Sequence, residues 1–306
     1  MCCVTDLLYF VIGAVALKFA WDTVGWLWHA RPGKPASWFK SKGAWALVTG
    51  CTDGIGEGFA YECARLGFNV VLVSRTQAKL DQVAAAIRAK YPAVETATHA
   101  FDFASKTADW GALAEVATAR EVSVLVNNVG INVDCPTYFL ETPEAKIEDM
   151  VAVNITALNR MCHMLLPGMV KRRGGAIVNL SSFTARVPVP MLAVYSATKA
   201  YDDAFSLALH AEYADKGVSV LSVCPGFVAS SMSGLRPGLS VATPALVARQ
   251  SLGRLGQYRT QPYWFHALFE KVLRTVPYAI VSRLVLKENI STRARWLRKQ
   301  ERSRSN

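Results

Sequence analysis

The sequence predicts an α/β fold built on a doubly wound parallel sheet, and three observations predict it. Short β-branched runs alternate with longer helical stretches from residue 45 onward, as they do when helices cover both faces of a sheet. The first run ends in a glycine-rich turn that opens a helix, the arrangement of a Rossmann-type dinucleotide-binding unit. The chain has 306 residues and is 52% hydrophobic, enough for one large domain with extra segments and no second folded domain.

Strands are expected at residues 45–49, 70–74, 95–101, 122–126, 176–180 and 218–223, where β-branched residues cluster. Helices fit between them at 56–66, 76–90, 143–173 with a break at Pro167, and 194–216. Ahead of this region, residues 7–28 form a mostly apolar run, long enough as a helix for a hydrocarbon layer of about 30 Å. Lys18 and Asp22 interrupt it but share a helical face, and Trp21, Trp26 and Trp28 suit a membrane interface. Residues 1–30 are therefore read as a membrane anchor, an apolar arm packed on protein being the alternative. A cleaved signal peptide fits poorly, since no positive charge precedes Leu7 and no small-x-small site follows suitably. Residues 31–42 form a basic linker with Arg31, Lys34, Lys40 and Lys42, which the positive-inside rule assigns to the cytosol together with the domain at 43–260.

Residues 261–306 form an apolar, then basic, helical extension. Trp264, Phe265, Leu268, Phe269, Val272 and Leu273 are interrupted by Glu270, Lys271, Arg274, Pro277 and Arg283, which excludes a simple spanning helix. An interfacial or re-entrant segment and an amphipathic helix packed on the domain both fit. Much of the net charge of +11 sits in the last twenty residues, where seven Lys/Arg outweigh two acids. Without finger spacing, RNA-binding aromatics or a basic heptad region, that tail does not indicate nucleic acid. The seven cysteines include no C-x-x-C pair and no ligand spacing to His, which implies a reducing compartment and no metal site. Cys2 and Cys3 are either acylation sites or small apolar residues at a chain start.

The chemistry is carried by three groups of residues. In Gly50-Cys51-Thr52-Asp53-Gly54-Ile55-Gly56, the absent side chains allow a tight turn and let a pyrophosphate approach backbone N–H groups at a helix N-terminus. The second strand ends in Arg75, where a carboxylate would hold the ribose of NAD. A guanidinium there pairs with a 2′-phosphate instead and favours NADP(H). Asp102, after the third strand, is placed to accept from an adenine amino group. Tyr195 and Lys199 lie four apart on one helical face, so an ammonium can favour the phenolate of a group whose free pKa is about 10. That suits an acid for ketone reduction and a base for alcohol oxidation. Ser182, at a strand end, can donate to a substrate oxygen as negative charge develops there.

On these motifs, residues 43–260 resemble the short-chain dehydrogenase/reductase family, as do Asn127-Asn128-Val129-Gly130, Asn154, the thirteen-residue spacing from Ser182 to Tyr195, and Pro225-Gly226. The resemblance implies that Tyr195 is the catalytic acid/base, that Lys199 also holds the nicotinamide ribose, that Ser182 orients the carbonyl and that Asn154 positions a water in the proton relay. It extends the NADPH contacts to Asn128, Pro225, Gly226, Val228 and Ser230, with Ser230 standing where a threonine is usual and Val129 where an alanine is usual.

Within the family the chain is most similar to the microsomal very-long-chain 3-oxoacyl-CoA reductases, also described as 17β-hydroxysteroid dehydrogenases. Asp102-Phe103-Ala104-Ser105, Tyr138-Phe139-Leu140, Val187-Pro188-Val189-Pro190 and Ser291-Thr292-Arg293-Ala294 carry that likeness. It implies reduction of a long-chain 3-oxoacyl-CoA at the endoplasmic reticulum membrane during fatty-acid elongation, with other elongation enzymes as partners and homodimerisation through the helices bearing Asn154 and Tyr195. A hydroxysteroid dehydrogenase acting on another lipophilic carbonyl substrate is the alternative enzyme, and an inactive NADP-binding membrane scaffold the alternative of another class. The C-terminus lacks the dilysine signal of some relatives.

Overall fold

The computed structural model describes residues 2–29 and 32–304. Sequence expectations that rest on Arg31, on the side chains of Cys2, Cys3, Asp22, Trp26 and Trp28, and on Ser305 and Asn306 lie outside the described residues. The chain divides into two compact units, Met1–Gly33 and Lys34–Asn306. The first is one helix, α1 (Cys2–His29), with Tyr9, Phe10, Leu17 and Trp21 exposed. Among the described residues, no helix is long and apolar enough to cross a membrane. The expectation of a spanning-length apolar segment at 7–28 is therefore met in helical form only.

The second unit contains α2 (Ala36–Lys40), β1 (Trp45–Thr49), α3 (Gly54–Arg65), β2 (Asn69–Ser74), α4 (Gln77–Lys90), β3 (Thr96–Ala100), α5 (Trp110–Thr118), β4 (Val122–Asn127), α6 (Glu144–Val151), α7 (Ala157–Lys171), β5 (Gly175–Leu180), α8 (Ala193–Tyr213), β6 (Val218–Val223), α9 (Pro244–Leu252), β7 (Arg259–Thr260), α10 (Trp264–Thr275) and α11 (Tyr278–Arg304). The sheet is parallel throughout, in the order β3-β2-β1-β4-β5-β6-β7. Each central strand is buried on both sides. Successive residues therefore feed opposite cores, with Val48 packing with Phe59, Leu80 and Leu252 while Leu47 packs with Leu113, Met161 and Leu209. The chain reverses direction across the sheet between β1 and β4, so a crevice opens at their carboxyl ends, where such folds bind ligands.

The expected helix at 143–173 differs from the observed structure. It does not break at Pro167, which lies inside α7. Pro167 and His163, the residue four before it, are both exposed, so the carbonyl left without a donor faces water. The irregularity falls instead at a π-turn, Ala152–Thr156, that joins α6 to α7.

The first βα turn shows why glycine is required there. Gly50 and Gly54 have φ of 63° and 56°, in the left-handed region. A Cβ on Gly56 would lie 2.2 Å from the Gly50 carbonyl oxygen and 2.3 Å from Nδ2 of Asn128, which itself donates to the carbonyls of Thr49 and Gly50, each at 3.0 Å. Gly56→Ala is expected to lower stability by about 1–3 kcal/mol through this overpacking. Urea denaturation checks it, and an unchanged midpoint would contradict the close packing.

Candidate active site

Two fastenings between β5 and α8 build the site. Ser181 Oγ donates to the Lys199 carbonyl at 2.7 Å, and Lys199 Nζ donates back to the Leu180 carbonyl at 2.6 Å. The end of the strand therefore fixes the face of α8 that carries Tyr195 and Lys199, and Nζ lies 5.9 Å from the Tyr195 ring centre. Nζ also donates to Asp202 Oδ2 at 2.9 Å. Burial alone would lower the Lys199 ammonium, yet Asp202 and Tyr195 carry it above its ordinary value. Ser182 follows β5 directly, and its Oγ accepts the Thr184 N–H at 3.1 Å, which leaves its own proton available to donate.

Asn154 lies in the π-turn, nearly fully buried. Its side chain accepts the Ile131 N–H at 2.8 Å and donates to the Ile131 carbonyl and to Thr198 Oγ1, each at 3.0 Å. This ties the π-turn both to α8 and to the segment after β4. A Cβ on Gly130 would lie 3.4 Å from Asn154 Oδ1 and 3.6 Å from Lys199 Nζ, so these three residues converge. A narrow cleft beside them is lined by Val133, Phe139, Met150, Met191, Val194 and Tyr195. Asn132, Thr137 and Thr142 also line it, so its walls are mixed, with the Tyr195 phenol among their polar groups.

The residues expected to hold a dinucleotide lie along the same carboxyl edge of the sheet. Arg75 follows β2, exposed, with no ion pair among the described residues, and beside it Ser74 and Thr52 share a hydrogen bond of 3.0 Å. Asp53 and Ile55 lie in the turn and first helical residues of α3, whose N-terminus favours anions. A Cβ on Gly54 would meet Ser230 Cβ at 2.9 Å, so the glycine turn and the segment after β6 form one cradle. Val228 is buried there, with its carbonyl accepting from Ser233 Oγ at 2.7 Å. Asp102 is exposed past β3, with Oδ1 accepting the Ala104 N–H at 3.0 Å. Arg75 and Asp102 thus flank β1 on one side and Ser182 and Tyr195 on the other, in line along the edge and not in one cluster. Asn128 supports the turn through the backbone bonds described above.

Sequence reasoning missed several supporting residues. His266, on α10, is buried with its Nδ1 accepting the Gly226 N–H and its Nε2 facing the Ser240 carbonyl, both at 3.1 Å. Those partners require a neutral ring protonated at Nε2, and burial holds its pKa below the ordinary value. Pro225-Gly226 is thereby pinned from the C-terminal extension, as the Pro225 carbonyl is by the Phe183 N–H at 2.9 Å. On the same helix Glu270 pairs with Arg186 at 3.6 Å, and Phe269 stacks on Phe183 at 5.8 Å. On α11, Asn289 donates to the Pro190 carbonyl at 2.8 Å and Arg293 pairs with Glu141. The extension therefore packs on the domain as one of the two sequence readings had it, while Trp264, Leu268 and Val272 stay exposed. A buried chain from Asn127 through Asn179 to Ser206, each step 2.9 Å, also ties β4, β5 and α8 together. Asn127 stands in a motif the sequence shows, but no local pattern marks these contacts, because each is long-range.

Residues 44–237 match the short chain dehydrogenase family. The chain is 43% identical over 265 residues to the very-long-chain 3-oxoacyl-CoA reductase of Homo sapiens, covering 85% of this chain and 84% of that protein. It is 39% identical over 306 residues to very-long-chain 3-oxoacyl-CoA reductase-B of Danio rerio, covering 95% and 97%. Among solved structures, a short-chain dehydrogenase from Sphingobium yanoikuyae in complex with NADPH superposes with a TM-score of 0.66 at 26% identity, covering 78% of this chain and 95% of that one. With its parallel sheet, glycine turn and Tyr195–Lys199 face, the chain belongs to the short-chain dehydrogenase family and is an oxidoreductase that uses a nicotinamide cofactor.

Proposed function

We propose that this protein reduces a long-chain 3-oxoacyl-CoA to the 3-hydroxyacyl-CoA with NADPH, at the surface of the endoplasmic reticulum. The observation that carries the reading is the 39% identity to the Danio rerio reductase across 95% of this chain, in a protein whose serine, tyrosine and lysine occupy one strand end and one helix face.

The residues present fit the cofactor. The Gly50–Gly56 turn brings the N-terminus of α3 to the sheet edge, where backbone N–H groups can meet a pyrophosphate, and Arg75 is free to pair with a 2′-phosphate. Thr52, Asp53, Asp102, Asn128, Pro225, Gly226, Val228 and Ser230 complete the proposed binding edge. NADPH supplies the hydride. In this reading the Ser182 hydroxyl donates to the substrate keto oxygen, and the Tyr195 phenol gives that oxygen its proton. Lys199 orients the ribose and steadies the phenolate left behind, while Asn154 holds the π-turn from which a water can return the proton.

The membrane setting rests on chemistry. A long acyl chain gains about 0.8 kcal/mol per buried CH₂, so its thioester stays near lipid. The exposed apolar side chains of α1 are suited to embedding in that boundary, with the catalytic unit in the cytosol.

Two outcomes test the reading. Offered 3-oxohexadecanoyl-CoA and a 17-ketosteroid in competition with NADPH in detergent, the protein is expected to prefer the thioester by about tenfold or more in kcat/KM. Comparable values would remove the acyl-CoA assignment and favour a steroid dehydrogenase. Arg75→Asp is expected to lower kcat/KM for NADPH by about 10- to 100-fold, the worth of a charge-assisted bond, and to leave NADH little changed. Equal losses for both cofactors would contradict the role given to Arg75.

A further inference from the structure

The surroundings of Lys199 contain a group that the proposed relay does not use. Asp202 lies on α8 at the third place of a Tyr195–Lys199–Asp202 series spaced i, i+4, i+7, all on one face. It is 1% exposed, and its Oδ2 accepts from Lys199 Nζ at 2.9 Å. An ammonium has three protons. Here the Leu180 carbonyl takes one and Asp202 another, so one remains for a group docking alongside. Oδ1 of Asp202 is buried with no hydrogen-bond partner among the described residues.

We propose that Asp202 is a positioning residue of the proton relay, which aims the Lys199 ammonium and offsets its charge so that Tyr195 keeps its proton and serves as the acid of ketone reduction into the alkaline range. This rests on the assignment of Tyr195 and Lys199 given above. An uncompensated ammonium beside a phenol draws the phenol toward phenolate, which suits oxidation of an alcohol. A carboxylate in contact with the same ammonium opposes that pull.

The other groups around the pair leave Asp202 as the counter-charge. Asp203, next on α8, is already met by Arg259 from β7, Nε to Oδ1 at 2.9 Å and Nη2 to Oδ2 at 2.5 Å. The thiols of Cys162 on α7 and of Cys224 after β6 face the pair as neutral groups, each pushed up to about 12 by burial. Burial raises the Asp202 carboxyl, while Lys199 pulls it back toward ionisation.

The test is the pH dependence of kcat for reduction of 3-oxohexadecanoyl-CoA by the full chain in detergent, measured for wild type, Asp202→Asn and Tyr195→Phe. The alkaline limb is expected to move to lower pH by about one unit or more in Asp202→Asn, with oxidation of the 3-hydroxyacyl-CoA by NADP⁺ gaining at neutral pH. Superimposed limbs overturn the proposal, because a merely structural residue would change amplitude without moving the limb. Should Asp202→Asn not fold by thermal melting, Asp202→Ser, which removes the same charge, is read in its place, with the same shift to lower pH expected and superimposed limbs again overturning the proposal. Tyr195→Phe separates the two layers. If it keeps wild-type turnover, the assignment of Tyr195 itself fails. If it is inactive while the Asp202→Asn limb stays in place, only the role of Asp202 fails.

Discussion

A buried ammonium must have its charge and protons met, and the site is organised around meeting them for Lys199. Its Nζ is held by the carbonyl that ends β5 and by the Asp202 carboxylate, and its own carbonyl is held by Ser181. These bonds join the strand end that carries Ser182 to the helix face that carries Tyr195. Loss of the ammonium would leave a buried carboxylate and a buried carbonyl unpaired, a large penalty for one side chain. The geometry of the hydroxyls therefore depends on the electrostatics of the lysine.

The parallel sheet supplies the frame in which that works. Reversal of the strand order between β1 and β4 opens the crevice, the glycine turn borders it, and β5 and α8 stand across from it. The C-terminal extension closes the arrangement from outside. His266 holds Gly226, Glu270 reaches Arg186, and Asn289 holds the Pro190 carbonyl, so three segments bordering the crevice answer to α10 and α11. Apolar side chains of α10 remain exposed in the same helix.

Much of this was legible in the sequence, for identifiable reasons. Five of the six expected strands show because each is a compact apolar run with its interior buried on both faces, while β3 lies half-buried at the sheet edge. β7 has two residues and no such run, so only its pairing with Ser222 and Val223 defines it. The helices α5 and α9 are nine residues each, short and rich in alanine, and lack the long period that marks α4 and α8. Pro167 signals a break that exposure makes unnecessary, and the π-turn around Asn154 carries no local signal at all. The spacing of Tyr195 and Lys199 was readable because four residues make one helical turn, and the structure sets that face against the strand end before Ser182. Asp202 stood in the same readable series, but its meaning appears only once the ammonium is seen between it and Leu180. His266 was invisible, since its two partners come from segments 40 and 26 residues away.

In the reduction described, hydride and proton arrive at one keto group of an acyl thioester. Mass spectrometry of the product formed from a 3-oxoacyl-CoA and NADPH carrying deuterium at both C4 positions tests it most directly. The expected product is a 3-hydroxyacyl-CoA with a single deuterium, located at C3. A product without deuterium at C3, or no product from any 3-oxoacyl-CoA, would contradict it.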